Sequence, residues 1–266
     1  MNHRIRAAAI RERKGTRFAT VTAYDAAFGR VAEAAGIDVI LVGDSLGNVV
    51  LGYESTVSVT MEDMERHGAA VVRGTTRAHV AVDLPFMSYE TSSEDAVRNA
   101  GRLVRVGASS VKLEGGVDHA ERIRAIVRAG IPVIAHIGVT PQTAALGEGF
   151  RRRKNRADLI ADADAVTAAG AFAVVLEMVD AEIAGEITRR IPIPTIGIGS
   201  GGECDAQIIV IYDLLGLSAD APPFVQPYAD LAGTATAALK AYAGDIVAGS
   251  YPAALRRHPF EAKIRA

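Results

Sequence analysis

The chain contains only one cysteine, Cys204, among its 266 residues. A single cysteine excludes a disulfide framework within the chain and a zinc site built from several cysteines. Because structural disulfides belong mainly to oxidising compartments, this cysteine usage predicts a reduced, cytoplasmic setting.

The chain also lacks an excess of charge of one sign and lacks long apolar runs. Its 29 basic and 31 acidic residues give a net charge of -2, so there is no general basic surface for nucleic acid. No stretch reaches the roughly 18 to 20 apolar residues that span a bilayer. The segment Met1–Lys14 is charged and has no apolar core, which argues against a secretory signal. We therefore expect neither a nucleic-acid partner nor a membrane partner.

Short apolar segments alternate with helical segments along the chain, in a composition that is 49% hydrophobic. The pattern predicts about eight strands, each followed by a helix. We predict an α/β fold in which residues 1–266 form one (β/α)₈ TIM barrel domain with an N-terminal helix and a C-terminal helical extension. The apolar segment Ile208–Leu215 is predicted to be the eighth strand, and Tyr228–Ala248 a helix.

An open doubly wound sheet is the alternative fold. Such sheets bind dinucleotides at a glycine-rich turn after the first strand, and no such turn follows Phe18–Ala23. The spacing Gly197-x-Gly199-x-x-Gly202 matches the fingerprint but occurs late in the chain. The sequence therefore favours the closed barrel.

The segment Val39–Val42 is a fully apolar strand that ends at Gly43, Asp44 and Ser45. Taken alone, an acid and a hydroxyl after a strand are typical of an ordinary turn. The pattern recurs, however, at later strand ends. The polar or glycine positions at these ends are Asp44, Ser45, Asp83, Lys112, Glu114, His136, Glu177, Gly199 and Ser200. Because the carboxyl ends of barrel strands surround one pocket, we expect these residues to converge.

Several buried carboxylates in one pocket repel one another unless they are protonated or bind a cation. Oxygen ligands favour Mg²⁺, with water and substrate oxygens completing the coordination. Asp44 and Asp83 are the best pair of metal ligands, and Glu114 is a third ligand or a neighbour of the ligands. The alternative is that both aspartates cap helices.

The remaining residues suggest acid–base chemistry on a 2-oxo acid. Lys112 and Glu114 are two positions apart and project to the same face of a strand, although they could simply pair with each other. Glu177 follows an apolar strand, and partial burial there would raise its pKa and suit it to act as a base. A metal-bound 2-oxo acid loses a proton next to its carbonyl to give an enolate, whose charge Lys112 and His136 could neutralise. His136 could instead be structural, and Glu177 could pair with Lys112. The residues do not identify the electrophile that the enolate attacks.

Six motifs, in this order, resemble the ketopantoate hydroxymethyltransferase family over roughly Gly15–Leu231. They are Thr22-Ala23-Tyr24-Asp25, Val42-Gly43-Asp44-Ser45-Leu46-Gly47, Asp83-Leu84-Pro85-Phe86-Met87, Val111-Lys112-Leu113-Glu114-Gly115-Gly116, His136-Ile137-Gly138-Val139-Thr140-Pro141-Gln142 and Ile196-Gly197-Ile198-Gly199. The resemblance implies a barrel of the phosphoenolpyruvate/pyruvate superfamily. It also implies Mg²⁺-dependent transfer of a hydroxymethyl group from 5,10-methylenetetrahydrofolate to 3-methyl-2-oxobutanoate, which gives 2-dehydropantoate for pantothenate and coenzyme A synthesis.

The resemblance also implies roles for individual residues. Asp44 and Asp83 would be Mg²⁺ ligands with Glu114 beside them, Ser45, Asp83 and Lys112 would contact the 2-oxo acid, and Glu177 would be the proton acceptor. Members of the family are typically homodecamers, so a homo-oligomer is expected.

The chain departs from the family in two places. The segment Phe150–Arg156 replaces an aromatic-Lys-Val-Gln-Gly-basic segment, and Tyr212-Asp213 replaces a His-Asp pair. The basic run Arg151–Lys154 is typical of a solvated loop, although it could face an anionic substrate.

Alternative functions are a related Mg²⁺-dependent aldolase or lyase, a paralogue with a different one-carbon or aldehyde donor, and a non-catalytic 2-oxo acid-binding barrel. The Lys-Lys-Cys-Gly loop usual in related lyases is absent, and Cys204 lies elsewhere.

Overall fold

A computed structural model describes residues 4–147 and 149–252. Eight parallel strands form a closed barrel in which each strand pairs with the next, and β8 pairs with β1. The pairing of β8 with β1 excludes the open sheet and confirms the predicted fold class. The strands are β1 Phe18–Thr22, β2 Val39–Val42, β3 His79–Asp83, β4 Ser110–Glu114, β5 Val133–Gly138, β6 Ala173–Glu177, β7 Thr195–Ile198 and β8 Ala206–Gln207.

The α-helices lie before, between and after these strands. They are α1 Ala7–Arg11, α2 Ala26–Ala34, α3 Leu46–Val49, α4 Met61–Gly74, α5 Ser93–Arg105, α6 Ala120–Arg128, α7 Pro141–Ala144, α8 Arg156–Ala169, α9 Ala181–Arg190, α10 Ile211–Leu214 and α11 Leu231–Val247. Two short 3₁₀ turns, Thr56–Ser58 and Val117–His119, precede α4 and α6. None of the helices in the described residues is long and apolar enough to cross a membrane.

The strands are rich in apolar residues because helices cover one face and the barrel interior covers the other. All four residues of β2 are buried. Side chains from several strands, including Val39, Ile134 and Val175, form one core cluster, and Ile10 of α1 packs into it. The N-terminal helix therefore helps to close the amino-terminal end of the barrel.

Helix α4 begins at a cap formed by Thr60 and Asp63. The Thr60 hydroxyl accepts a hydrogen bond from the Asp63 backbone N–H, and the Asp63 carboxylate accepts one from the Thr60 backbone N–H. This reciprocal capping box satisfies two N–H groups that have no partner within the helix.

The predicted eighth strand was wrong. Strand β8 covers only Ala206–Gln207, and the apolar segment that follows turns into the short helix α10. A short apolar run fits a buried strand and a buried helix equally well, so its periodicity does not separate them. The Thr22 hydroxyl accepts a hydrogen bond from the Ile211 backbone N–H as the strand gives way to the helix.

The chain divides into two compact units, Met1–Ile211 and Tyr212–Ala266. The first contains the whole barrel. The described part of the second contains α11, which confirms the predicted C-terminal helix. The assignment of residues 1–266 to one domain stays a prediction.

Candidate active site

The register of three neighbouring strands places four of the predicted site residues side by side. Asp83 at the end of β3 pairs in register with Lys112 of β4, and Glu114 of β4 pairs with His136 of β5. All four are nearly inaccessible to solvent. Lys112 and Glu114 face the same side because alternate residues of a strand share a face.

Asp44 joins this row from the neighbouring strand end. Its backbone N–H donates to Asp83 Oδ2 over 3.1 Å. Burial raises the pKa of Asp44, against the opposing effect of Lys112. Burial likewise raises the pKa of Asp83 to about 7, and the nearby Asp44 charge adds to the effect. Both aspartates therefore resist ionisation unless a cation compensates them.

Lys112 is the cation at the centre of the site. Its Nζ lies 3.1 Å from Asp83 Oδ1 and 4.0 Å from Glu114 Oε1. Burial opposes the ammonium charge, but the carboxylates of Asp83, Glu114 and Asp44 outweigh it and raise the pKa of Lys112. Lys112 therefore stays protonated and can receive a negative charge from a substrate.

His136 is neutral in this setting. Burial and the Lys112 charge lower its pKa well below the usual value. Its Nε2 lies 2.9 Å from the Val139 carbonyl and its Nδ1 lies 3.1 Å from Lys112 Nζ. A carbonyl only accepts and an ammonium only donates, so the network assigns the proton to Nε2.

Glu177 ends β6 beside this row. Its Oε2 lies 3.4 Å from His136 Nε2, and its side chain keeps 17% exposure. Burial raises its pKa to about 8, and the charges of Asp44 and Asp83 add to the effect. The next residue, Met178, has a φ of 47°, a left-handed conformation that is strained for a non-glycine residue. A carboxyl with a pKa near neutrality at a strained strand end is typical of a general base.

Ser45 is held by a hydroxyl chain. The Thr22 hydroxyl donates to Tyr24 Oη over 2.9 Å, and Tyr24 Oη lies 2.8 Å from Ser45 Oγ. Either hydroxyl can donate in the contact between Tyr24 and Ser45, and the chain holds the Ser45 side chain in place. The neighbouring Gly43 has no room for a side chain, because a Cβ there would lie 2.9 Å from Ser45 Oγ. A larger residue at this position would displace the serine.

Gly199 and Ser200 follow β7 and contact backbone groups. Ser200 Oγ donates to the Leu176 carbonyl over 2.7 Å and accepts from the Val179 backbone N–H over 2.9 Å. The Gly199 carbonyl accepts a hydrogen bond of 2.8 Å from Arg152. These contacts support the segment after Glu177, and a substrate contact for either residue stays a prediction.

The segment Phe150–Arg156, which departs from the family pattern, rests against the segment that follows β6. The Arg152 guanidinium donates to the Val179 and Gly199 carbonyls over 2.9 and 2.8 Å. The Arg153 backbone N–H donates to the Met178 carbonyl over 2.9 Å. The basic run is therefore bound, in part, to the backbone that carries Glu177, and is not simply a solvated loop.

The donor set at Asp44 and Asp83 fits Mg²⁺. In the part of the chain that the structure describes, no three His, Cys, Asp or Glu side chains are arranged to hold one metal ion. Mg²⁺, however, is commonly bound by one or two carboxylates together with water and substrate oxygens. Asp83 Oδ1 already pairs with Lys112 over 3.1 Å, yet burial still raises the pKa of Asp83 and of Asp44. A bound cation would offset the charge of the two buried carboxylates, so the pair fits the ion.

Two residues that contact the candidate site at this end of the barrel were not predicted from the sequence. Gln142 of α7 donates to Asp44 and to Glu114, and Tyr89 in the loop after β3 donates to Gln142. Gln142 is the last residue of the family motif that begins at His136, but no role was assigned to it. A polar side chain close to the apolar residues of that loop was the feature of the sequence that could have indicated one.

Proteins of known family are similar to this chain over nearly its whole length. The sequence model for ketopantoate hydroxymethyltransferase matches residues 3–254. A 3-methyl-2-oxobutanoate hydroxymethyltransferase from Hyperthermus butylicus is 52% identical over 91% of this chain and 85% of its own length. One from Moorella thermoacetica is 52% identical over 92% of this chain and 93% of its own length.

Solved structures support the fold. Phosphoenolpyruvate phosphomutase from Streptomyces platensis subsp. rosaceus superposes with a TM-score of 0.62 at 16% identity, covering 92% of this chain and 88% of that one. The 2,3-dimethylmalate lyase of the PEP mutase/isocitrate lyase superfamily gives 0.60 at 18% identity, covering 96% and 92%. The family match spans nearly the whole chain, and the chain belongs to the ketopantoate hydroxymethyltransferase family.

Proposed function

We propose that this protein transfers a hydroxymethyl group from 5,10-methylenetetrahydrofolate to 3-methyl-2-oxobutanoate, giving 2-dehydropantoate for pantothenate synthesis. Relatives that are about half identical in sequence and carry the name of this activity support the proposal. The observation that carries it is the position of Glu177, whose pKa is raised to about 8, beside the row formed by His136, Lys112 and the two aspartates.

The proposal includes Mg²⁺ held by Asp44 and Asp83, with Glu114 as a further ligand or as their neighbour. When bound, the ion would supply positive charge to the carbonyl and carboxylate oxygens of the 2-oxo acid, which lowers the cost of forming the enolate. Burial raises the pKa of both aspartates even with Lys112 beside them, and this unfavourable burial of two carboxylates supports the role.

Lys112 and Ser45 bind and orient the substrate in this proposal. The ammonium of Lys112 is buried and remains charged, so it pairs with a substrate carboxylate or a developing oxyanion. Ser45 contacts the substrate through its hydroxyl group, which lies 2.8 Å from Tyr24 Oη and is held in place by it. Asp83 contributes both to the metal and to the position of Lys112.

Glu177 accepts the proton from C3 of the substrate. A base with a pKa near 8 is matched to this task close to neutral pH. His136, whose lowered pKa keeps it neutral, does not compete for the proton, and its Nε2 lies 3.4 Å from Glu177 Oε2. The one-carbon unit is bonded to two nitrogens of 5,10-methylenetetrahydrofolate, and both carbon–nitrogen bonds break. C3 of the substrate replaces one nitrogen and the hydroxyl group of a water molecule replaces the other. The two nitrogens of the tetrahydrofolate released take up the proton held by Glu177 and the remaining proton of the water.

Assembly and location complete the proposal. We expect a homo-oligomer, a homodecamer by the family resemblance, in the cytoplasm, with no nucleic-acid or membrane partner. Mass measurement of the purified protein in solution tests the assembly independently of the chemistry.

The decisive test follows the C3 proton of 3-methyl-2-oxobutanoate by NMR in D₂O. Exchange that requires both protein and Mg²⁺, with 2-dehydropantoate formed on adding 5,10-methylenetetrahydrofolate, is the expected result. Exchange without transfer would reject 5,10-methylenetetrahydrofolate as the donor and would indicate a different one-carbon or aldehyde donor, as in the alternative enzymes. Absence of exchange with Mg²⁺ present would reject enolisation and leave a binding protein.

A further inference from the structure

Gln142 connects two of the carboxylates in the site. The side chain is 1% exposed. Its amide Nε2 donates to Asp44 Oδ2 over 2.7 Å and to the Leu84 carbonyl over 3.0 Å. Its backbone N–H donates to Glu114 Oε2 over 3.1 Å. One residue therefore contacts both carboxylates, from a helix that supplies no ligand of its own.

The orientation of the amide follows from its partners. The Leu84 carbonyl can only accept, so the NH₂ group must lie on that side, which is also the side of Asp44. The Gln142 Oε1 then accepts the Tyr89 hydroxyl over 2.7 Å. In the flipped amide, Oε1 would face two acceptors, so the observed orientation is the one that the surroundings permit.

Tyr89 is itself fixed. It is 2% exposed, and its ring contacts the His119 ring edge to face with centroids 5.3 Å apart. A buried phenol held by packing has little freedom to leave its acceptor. The order of contacts thus runs from a packed aromatic ring, through an oriented amide, to the Asp44 carboxylate.

We propose that Gln142, oriented by Tyr89, is the positioning residue that sets Asp44 and Glu114 for binding the divalent cation. Gln142 donates to Oδ2 of Asp44 and fixes the rotation of that carboxylate, so that Oδ1 keeps a single orientation. Its backbone fixes Glu114 from the same helix. This inference rests on the proposed metal-dependent function, and hydrogen-bond partners of ligands generally tune metal affinity in this way.

The test is binding of Mn²⁺ alone, as a spectroscopic substitute for Mg²⁺, to the purified full-length protein without substrate. We expect Gln142→Leu, which keeps the volume but removes the amide, to weaken Mn²⁺ binding by about 10- to 100-fold. We expect Tyr89→Phe, which removes one hydroxyl, to weaken it by about threefold. The electron paramagnetic resonance spectrum of bound Mn²⁺ should also broaden in both variants, because the ligand geometry is less uniform.

The matched control is Ser110→Ala. Ser110 is fully buried and contacts His79 Nε2 over 2.8 Å at the opposite end of the strand that carries Glu114. This variant should lose stability while keeping the Mn²⁺ affinity and spectrum of the wild-type protein. A change in Mn²⁺ binding that simply followed lost stability in all three variants would overturn the positioning role.

Unchanged Mn²⁺ affinity in folded Gln142→Leu would overturn the inference while leaving the proposed function in place. If that variant does not fold, Tyr89→Phe decides, and wild-type affinity and spectrum there would have the same meaning. Failure of the wild-type protein to bind Mn²⁺ would instead reject the metal-dependent function and this inference together.

Discussion

Glu33 and Glu177 lie at opposite ends of the barrel and differ in how the protein treats their charge. Glu33 accepts hydrogen bonds from the backbone N–H groups of residues 76–78. Burial opposes its ionisation, but these bonds prevail and hold its pKa at about 2. At Glu177, burial dominates and raises the pKa to about 8. The protein therefore stabilises the ionised form of a glutamate at one end of the barrel and the protonated form of a glutamate at the other.

The contrast extends to neighbouring groups. At the amino-terminal end, Asp205 accepts hydrogen bonds from Lys14, Gly15 and Thr195, which overcome burial and lower its pKa. At the carboxyl end, burial raises the pKa of Asp44 and of Asp83. The carboxylates at the amino-terminal end are stabilised as anions by hydrogen bonds, whereas the buried carboxyls at the other end resist ionisation and share a cleft, which makes them candidates for a functional site.

The largest effect on stability should come from removing the central cation. We expect Lys112→Met to lower the free energy of unfolding by about 3 kcal/mol at pH 8, because it leaves buried carboxylates without their partner. At pH 6 the loss should shrink, since those carboxyls take up protons. Urea unfolding at the two pH values measures both.

Lys14→Met is the counterpart at the other end. Lys14 is 25% exposed, and Asp205 retains its backbone donors in the variant, so we expect a loss of only about 1 kcal/mol. Equal losses for the two lysine variants would contradict the distinction between the ends.

Metal should stabilise the carboxyl end and do so more at high pH. Mg²⁺ binds ionised carboxylates, so its binding competes with protonation. At a concentration 100 times its dissociation constant at pH 8, the ion should add about 2.7 kcal/mol to stability at that pH. The same concentration should add less at pH 6, where Asp83 with its pKa of about 7 is largely protonated. Thermal unfolding with Mg²⁺ and with a chelator measures this. A larger stabilisation at pH 6 would contradict the assignment.

Glu33→Gln should lower stability by about 1 kcal/mol at pH 7, a figure reduced for its partial exposure. The folded pKa of Glu33 is lowered from 4.5 to about 2. Its stabilising effect is therefore present above pH 4.5 and is lost as the pH falls toward 2. Unfolding curves of the two proteins should converge in acid. A difference that is as large at pH 2 as at pH 7 would show that the side chain acts through packing.

The smallest effect should come from Arg152→Ala. The guanidinium donates to two carbonyls near Glu177. Its loss should lower the free energy of unfolding by less than about 1 kcal/mol and the rate of C3 proton exchange by no more than about threefold. Arg151→Ala, which alters the preceding basic residue, is the control. An equal effect in both variants would indicate that overall loop charge matters, and not the contacts of Arg152.

Much of this site follows from the sequence because it depends on strand geometry. The two-residue spacing of Lys112 and Glu114 fixes a common face, and acids after apolar strands fall at one end of a barrel. The role of Gln142 depends on how α7 folds back toward Asp44, 98 positions earlier in the chain. No local pattern reports such a contact. The eighth strand was misassigned for the related reason that hydrophobicity alone does not specify backbone conformation.

The most direct measurement is C3 proton exchange of 3-methyl-2-oxobutanoate in D₂O, compared between wild-type protein and Glu177→Gln. With Mg²⁺ present, the wild-type rate should rise with pH up to about 8, because the base acts only when it is deprotonated. The variant should lose at least about 10²-fold in rate while it still binds Mn²⁺. Exchange at the wild-type rate in Glu177→Gln would contradict the assignment of the base and with it the central claim.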